Sequence, residues 1–275
     1  MSLEWWHRVP GGSDWLERLP GIVADSAEEW SLRLGEPYKA HISYVARAER
    51  DDGTPAVLKV NFPEAETEHE AEALAFWPDD ASVRLLASSP ERSALLVERC
   101  EPGNQLWERS DEDALEVVCE LLPKLWRAGD PGPPFRRIED EAPTWAERLV
   151  ARPLEGELLD AALDALAELP QTQDELVLCN QDLHGGNVLL SERGWLAIDP
   201  KPIVAEREFG VVSLVRDRRP VDAAALARRL DTLAELGLDR DRMRRWSLLH
   251  ALWWGPDDTT GKWQPEMLQA ARLLL

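Results

Sequence analysis

The run from Asp182 to Asp199, DLHGGNVLLSERGWLAID, constrains this chain more than any other stretch. Val188–Leu190 and Trp195–Ile198 are short apolar segments separated by about four turn residues, a spacing that predicts an antiparallel hairpin. In such a hairpin the start of the first strand lies beside the end of the second, so Asn187 and Asp199 meet at one open edge. Two oxygen-bearing side chains there suit a hard cation such as Mg2+, which takes one or two protein ligands and completes its shell with water and phosphate oxygens. Asp182 stands five residues before Asn187, in the adjoining loop. A carboxylate at that place can accept a proton from an attacking hydroxyl.

A second constraint lies upstream. HISYVARAE (41–49), the turn DDGT and PAVLKVNF (55–62) read as a two-stranded hairpin. Its second strand carries Lys59 inside an apolar run, in a chain where only five of the 31 Lys and Arg residues are lysines. Period-2 alternation puts Val57 and Lys59 on one face. An inward ammonium needs an anion, and a nucleotide phosphate serves, with Val57 packed against the base. Glu68, Glu70 and Glu72, on a helix expected over 64–77, all stand as partners to fix the ammonium. The apolar strand ending in Glu98-Arg99-Cys100 runs into the break Glu101-Pro102-Gly103, as a lobe-linking segment would, and its backbone is suited to bonding an adenine edge. A strand lysine, a helix glutamate, an Asp-x4-Asn loop and an aspartate closing a hairpin, in that order, match the phosphoryl-transfer template of the protein-kinase type.

The remaining pattern fits that template. Helices are expected over 13–34, ending at Gly35, and strands over 82–88 and 93–100. Beyond residue 103, helices are expected near 111–128, 143–152, 156–169, 222–236 and 241–254. The fold class expected is α+β and bilobal, protein-kinase-like. Residues 1–100 form a small β-rich nucleotide-binding lobe with leading helices. Residues 101–275 form a larger helical lobe with the catalytic loop and substrate site.

Composition removes other classes. A net charge of −21 argues against nucleic acid, which demands clustered Lys and Arg, and against anionic membrane surfaces, while suiting a cationic small-molecule partner. No apolar run is long enough to span a bilayer, and the N-terminus lacks a basic head followed by an apolar stretch, so a cytoplasmic location is the default expectation. Cys100, Cys119 and Cys179 have no metal-site spacing and read as buried thiols. No obligate protein partner is evident.

QDLHGGNVLL followed by GWLAIDPKPIVAEREFG resembles the aminoglycoside phosphotransferase family, in its streptomycin 6-phosphotransferase and hydroxyurea phosphotransferase group. TPAVLKVNFP with ETEHEAEAL, and SVRLLASSPERSALLVER, are similar to the same group, and the likeness runs from about residue 20 to 220. The resemblance implies an ATP- and Mg2+-dependent antibiotic-resistance kinase acting on a hydroxyl of a streptomycin-type aminoglycoside, with hydroxyurea or an amino sugar as the alternative acceptor. It implies Asp182 as catalytic base, Asn187 and Asp199 as Mg2+ ligands, and Lys59 on the α- and β-phosphates. Glu70 becomes the lysine's partner because the family's glutamate lies early in its helix. The backbones of Glu98 and Cys100 take the adenine. Three departures stand out: Asn180-Gln181 replaces His-Gly before the loop aspartate, Phe209-Gly210 lacks an aspartate that braces the loop, and the turn over Lys39–Ser43 lacks glycines. Asn180-Gln181 and Gly210 motivate a rival reading, a catalytically silent kinase fold that binds a nucleotide or a partner. Asp257 and Asp258 are candidate carboxylates for a cationic acceptor, and Trp253-Trp254 a candidate substrate mouth.

Overall fold

The structure, a computed structural model, describes residues 6–40, 42–127, 129–154, 156–217, 221–257 and 260–275. Helix α1 spans Gly12–Glu29 and buries Trp15 and Leu19. At Ser31 the backbone takes a φ of +53° and enters strand β1, Leu32–Pro37. Helix was expected to continue to residue 34. Cross-strand pairing of Leu32 with Arg50 and Arg33 with Glu49 overrides the local helical pattern.

β2 (Ser43–Arg50), β3 (Pro55–Asn61), β4 (Leu85–Ser89) and β5 (Ala94–Glu98) complete an antiparallel sheet in the order β1-β2-β3-β5-β4. Alternation along β3 divides its residues between two environments. Ala56, Leu58 and Val60 are fully buried in an apolar cluster with Trp6 and Trp15, whose rings stack at 4.4 Å. Val57 and Lys59 face the other way. Helix α2, Glu70–Phe76, starts six residues later than the apolar pattern suggests. Before it, the Thr67 hydroxyl donates to the carbonyls of Phe62 (3.2 Å) and Glu64 (3.3 Å), side-chain bonds that compete with helix formation.

The rest of the chain is mainly helical: α3 (Asp111–Trp126), α4 (Ile138–Val150), α5 (Gly156–Glu168), α6 (Val212–Val215), α7 (Ala223–Ala234), α8 (Arg240–Trp254) and α9 (Pro265–Leu274). α9 has no counterpart among the expected elements, and α4 begins five residues early. Two strand pairs interrupt the helices. β6 (Leu176–Asn180) pairs antiparallel with β9 (Pro202–Glu206), and β7 (Val188–Ser191) with β8 (Gly194–Ala197). The β7–β8 turn has two residues, Glu192 and Arg193, fewer than expected. Chain segments from both sides stitch this hairpin in place: Ala197 N donates to Ala81 O (2.9 Å), and Leu190 N to Asn104 O (2.9 Å). Leu189, Leu196 and Ile198 of the hairpin region share an apolar cluster with Leu74, Leu95 and Cys100, so the hairpin packs beneath the five-stranded sheet.

Among the described residues no helix is long and apolar enough to cross a membrane. The three cysteines are free thiols; Cys100 and Cys179 are buried, and Cys119 is only half-buried.

Candidate active site

Lys59 is the centre of the site. Its ammonium donates to both oxygens of Glu70 (2.7 and 2.6 Å) and to Asp199 Oδ1. Glu70 also accepts from Asn61 Nδ2 (2.6 Å), and Asn61 Oδ1 accepts from the Ser43 hydroxyl (2.7 Å). Five polar residues thus run from the β1–β2 end of the sheet across to the β7–β8 hairpin. The late start of α2 puts Glu70 in its first turn and settles the choice among the three glutamates: Glu68 is exposed, and Glu72 lies near His69 at the surface. Burial alone would depress Lys59, but the charges of Asp199 and Glu70 outweigh it and hold the ammonium protonated. Burial likewise pushes Asp199 up, yet the ammonium of Lys59 overcomes this and keeps it ionised, below the usual carboxylate range.

Asp199 lies two residues beyond β8, with a φ of +51° that turns its carboxylate back toward Lys59. Ile198 N donates to Asn187 O at 2.9 Å, which puts the backbones of Asn187 and Asp199 at the same end of the hairpin. The Asn187 side chain donates through Nδ2 to Asp182 O at 3.0 Å, which leaves its amide oxygen available to a cation. An amide oxygen and an ionised carboxylate are the hard donors Mg2+ prefers, and two of them leave room for phosphate oxygens. These residues fit that ion.

Asp182 sits in the loop after β6. Its carboxylate is mostly shielded, with 18% side-chain exposure, and its Oδ1 is 3.7 Å from His184 Nε2. Burial pushes Asp182 above the usual range, against the pull of His184, Lys201 and Arg216. His184 Nδ1 accepts from Gly186 N at 3.0 Å, so the ring proton resides on Nε2, toward Asp182.

Two of the sequence departures have local explanations. Asn180 Oδ1 accepts from both Asp182 N and Lys201 N at 3.0 Å, and so ties the loop to the segment after Asp199. Gln181 is fully buried, and neither polar atom of its amide finds a protein partner among the described residues. A Cβ on Gly210 would stand 3.2 Å from both Cys179 Sγ and Trp126 Nε1, a tight fit. The bracing expected of an aspartate there comes from elsewhere. Ser213 Oγ donates to Gln181 O (2.6 Å), and Asp217 accepts from Gly185 N (2.9 Å) and from the Trp107 indole. Trp107 stacks on His184 at 4.6 Å and 5°, and a Cβ on Gly185 or Gly186 would meet its ring at 2.6 Å. The two glycines of the loop exist to admit this indole.

On the small-lobe side, Val57 pairs with Val97 across the β3–β5 ladder and is half-buried. Glu98 N donates to Arg84 O (3.0 Å), so its amide hydrogen is already engaged. The Glu98 carboxylate pairs with Arg193 of the β7–β8 turn. Burial, then the Glu98 charge, push the Cys100 thiol up to about 12, leaving it unreactive.

The acceptor-side expectations fare unevenly. Asp257 accepts from Thr260 N (2.7 Å) and Thr260 Oγ1 (2.8 Å), bonds that organise its turn, and Asp258 lies outside the described residues. Trp253 stacks on Trp145 at 4.4 Å within the helical core, and only Trp254 is half-exposed. Sequence reasoning missed Trp107, Asp217 and Lys201. For Lys201 a signal existed: it is another of the five lysines in an arginine-rich chain.

The aminoglycoside/hydroxyurea antibiotic resistance kinase family model matches residues 30–256. The chain belongs to this family. It is 34% identical to streptomycin 6-kinase of Streptomyces glaucescens, covering 96% of this chain and 91% of that protein. It is 37% identical to hydroxyurea phosphotransferase of Kitasatospora aureofaciens, covering 86% and 72% respectively. The kinase fold extends to distant structures: choline kinase LicA from Streptococcus pneumoniae superposes with a TM-score of 0.68 at 12% identity, over 94% of this chain and 97% of that one. As a member of an antibiotic resistance kinase family, the protein is a phosphotransferase with a hydroxyl acceptor, and the bilobal α+β architecture is that of the protein-kinase-like group.

Proposed function

We propose that this protein transfers the γ-phosphoryl group of ATP to a hydroxyl of a streptomycin-type aminoglycoside, with the lobe boundary near residue 100 and the nucleotide held between the lobes. The observation that carries this reading is the convergence of Lys59, Glu70 and Asp199 from three separate elements onto one ammonium. Identity of about a third to streptomycin 6-kinase over nearly the whole chain supports the acceptor class. The 37% identity to hydroxyurea phosphotransferase favours hydroxyurea as the second reading.

In this mechanism Asp182 takes the proton of the acceptor hydroxyl as its oxygen attacks phosphorus. Its raised proton affinity suits a base at neutral pH, since a stronger base gives more driving force for the transfer. Lys59, fixed by Glu70, binds the α- and β-phosphates. Val57 packs on the base, and the backbones of Glu98 and Cys100 bond its edge. Asn187 and Asp199 would hold Mg2+, which would neutralise phosphate charge when bound. Most of the acceleration comes from positioning and electrostatics. The reaction takes place in the cytoplasm, where ATP is abundant. The net charge of −21 favours approach of a cationic acceptor.

The test is an acceptor panel of streptomycin, hydroxyurea and amino sugars, incubated with ATP and Mg2+ and read by mass spectrometry. Streptomycin gaining one phosphoryl group is the expected product. Gain by hydroxyurea alone selects the second reading, and ATP binding with no product from any acceptor favours a silent kinase fold.

A further inference from the structure

Lys201 has no place in the scheme above, yet its surroundings resemble those of Lys59. Both are withdrawn from solvent, with 14% and 8% side-chain exposure. β6 and β9 are cross-strand partners with Asn180 opposite Pro202, so the loop carrying Asp182 and the segment carrying Lys201 leave the same end of one strand pair. Asn180 Oδ1 clamps the backbones of Asp182 and Lys201 together, and Gln181 N donates to Lys201 O at 3.2 Å. The Lys201 ammonium rests 4.6 Å from the Trp254 ring centroid and 3.1 Å from Glu66 Oε2. Its positive charge acts on both Asp182 and Asp199. Glu66 lies in the turns between β3 and α2, on the small-lobe side, so this ion pair spans the cleft.

A cation in this position is costly to desolvate, and Glu66 is its direct ion-pair partner, with Asp182 and Asp199 acting on it at longer range. Arginine, five times commoner in this chain, makes the better fixed strut through its bidentate fork. A lysine instead offers a compact charge on a flexible stem that can leave one anion for another. We propose that Lys201 is a second phosphoryl-binding cation, contributed by the large lobe: Glu66 and Trp254 hold its ammonium before the nucleotide binds, and it moves onto the non-bridging oxygens of the γ-phosphoryl group during transfer. The inference rests on the kinase reading given above. In the step it serves, the bond from the acceptor oxygen to the γ-phosphorus forms. The bond from phosphorus to the β–γ bridging oxygen breaks, its electron pair leaving on ADP. The hydroxyl proton goes to Asp182. Lys201 stays protonated throughout and neutralises the oxygens in transit.

The experiment compares wild type, Lys201→Met, Lys201→Arg and Glu66→Gln for kcat, for KM of ATP and for ADP affinity by calorimetry, with thermal unfolding as the folding check. Lys201→Met is expected to lose about 100-fold in kcat, the scale seen when one transition-state donor is removed, while ADP, lacking the γ-phosphoryl group, binds within about threefold of wild type. Lys201→Arg restores at least a tenth of wild-type kcat, and Glu66→Gln loses less than about fivefold because it removes only the resting partner. Equal losses of kcat and thermal stability in Lys201→Met and Glu66→Gln would show a structural strut and overturn the proposal. So would a Lys201→Met enzyme with near-wild-type kcat. If Lys201→Met does not fold, Lys201→Arg decides, since a strut tolerates arginine with full kcat and unaltered KM whereas a phosphoryl-seeking lysine does not. Failure of the wild type itself to bind ATP removes the kinase reading, a result separate from any ranking of the variants.

Discussion

Asp182 is held where its charged form is disfavoured, and this sets two measurable consequences. Burial raises its proton affinity in the folded state, so ionisation costs folding stability. The cost is absent below the unfolded-state value near 3.9, and it grows as pH rises from there through the folded value. Asp182→Asn is therefore expected to unfold at a higher temperature than wild type at neutral pH, with the gain vanishing in acid; a lower midpoint at neutral pH would contradict the burial argument. With Asp182 as the proposed base, the acid limb of the kcat profile should fall above the pH of an ordinary aspartate, because that carboxylate must be ionised to accept a proton. Gln181 offers a neighbouring test. Its amide is fully buried with no protein partner among the described residues, an arrangement that costs about 1–3 kcal/mol. Gln181→Met keeps the volume and removes the polar atoms, so its melting temperature should rise; a fall would mean that the amide is satisfied after all.

At the scale of elements, the loop DLHGGN is shaped by a side chain about 80 residues away in sequence. The ring of Trp107 lies over Gly185 and Gly186, and Gly186→Ala would drive a methyl to 2.6 Å from that ring and 2.8 Å from His184 Cε1. Overpacking of this kind costs about 1–3 kcal/mol. Because the displaced histidine faces Asp182, kcat should fall more than KM rises; a variant with a lower melting temperature but intact kcat would uncouple the stack from the chemistry. This contact also shows the limit of what the sequence declared. The β2–β3 and β7–β8 hairpins and the lysine strand were readable because apolar alternation and turn residues are local signals. β1 was not, since Ser-Leu-Arg-Leu continues the helical pattern of α1 and only pairing with β2 makes it a strand. The β6–β9 pair, which brings Asp182 to Lys201, depends on two segments over 20 residues apart. Asp217 and Trp107 were invisible for the same reason: an aspartate after a short helix and one of 13 tryptophans carry no local sign of touching a loop glycine.

Taken whole, the molecule spans its cleft with ion pairs: Lys59 with Asp199, Lys201 with Glu66 and Arg193 with Glu98. The change from strand-rich to mainly helical sequence was legible, because β1–β5 precede the Pro102-Gly103 break and α3 to α9 follow it. The acceptor was not legible, because no motif marks its site and Asp257 is engaged in its own turn. A ligand that bridges the lobes should stabilise both together. ATP with Mg2+ at about a hundred times its dissociation constant adds about 2.7 kcal/mol, or roughly 5–10 °C for a chain of this size. ATP with chelator should give a smaller shift in a thermal melt, because Asn187 and Asp199 then face phosphate without a cation between them. Equal shifts with and without the metal would remove those two residues from the metal's shell.

The most direct test of the account follows labelled γ-phosphate from ATP to streptomycin in the presence of Mg2+, with wild type and Asp182→Asn side by side. The account predicts label on streptomycin with wild type and a loss of about 10²- to 10⁴-fold with Asp182→Asn, the range for a general base, while the variant still binds ATP. Transfer by the variant at the wild-type rate would contradict it.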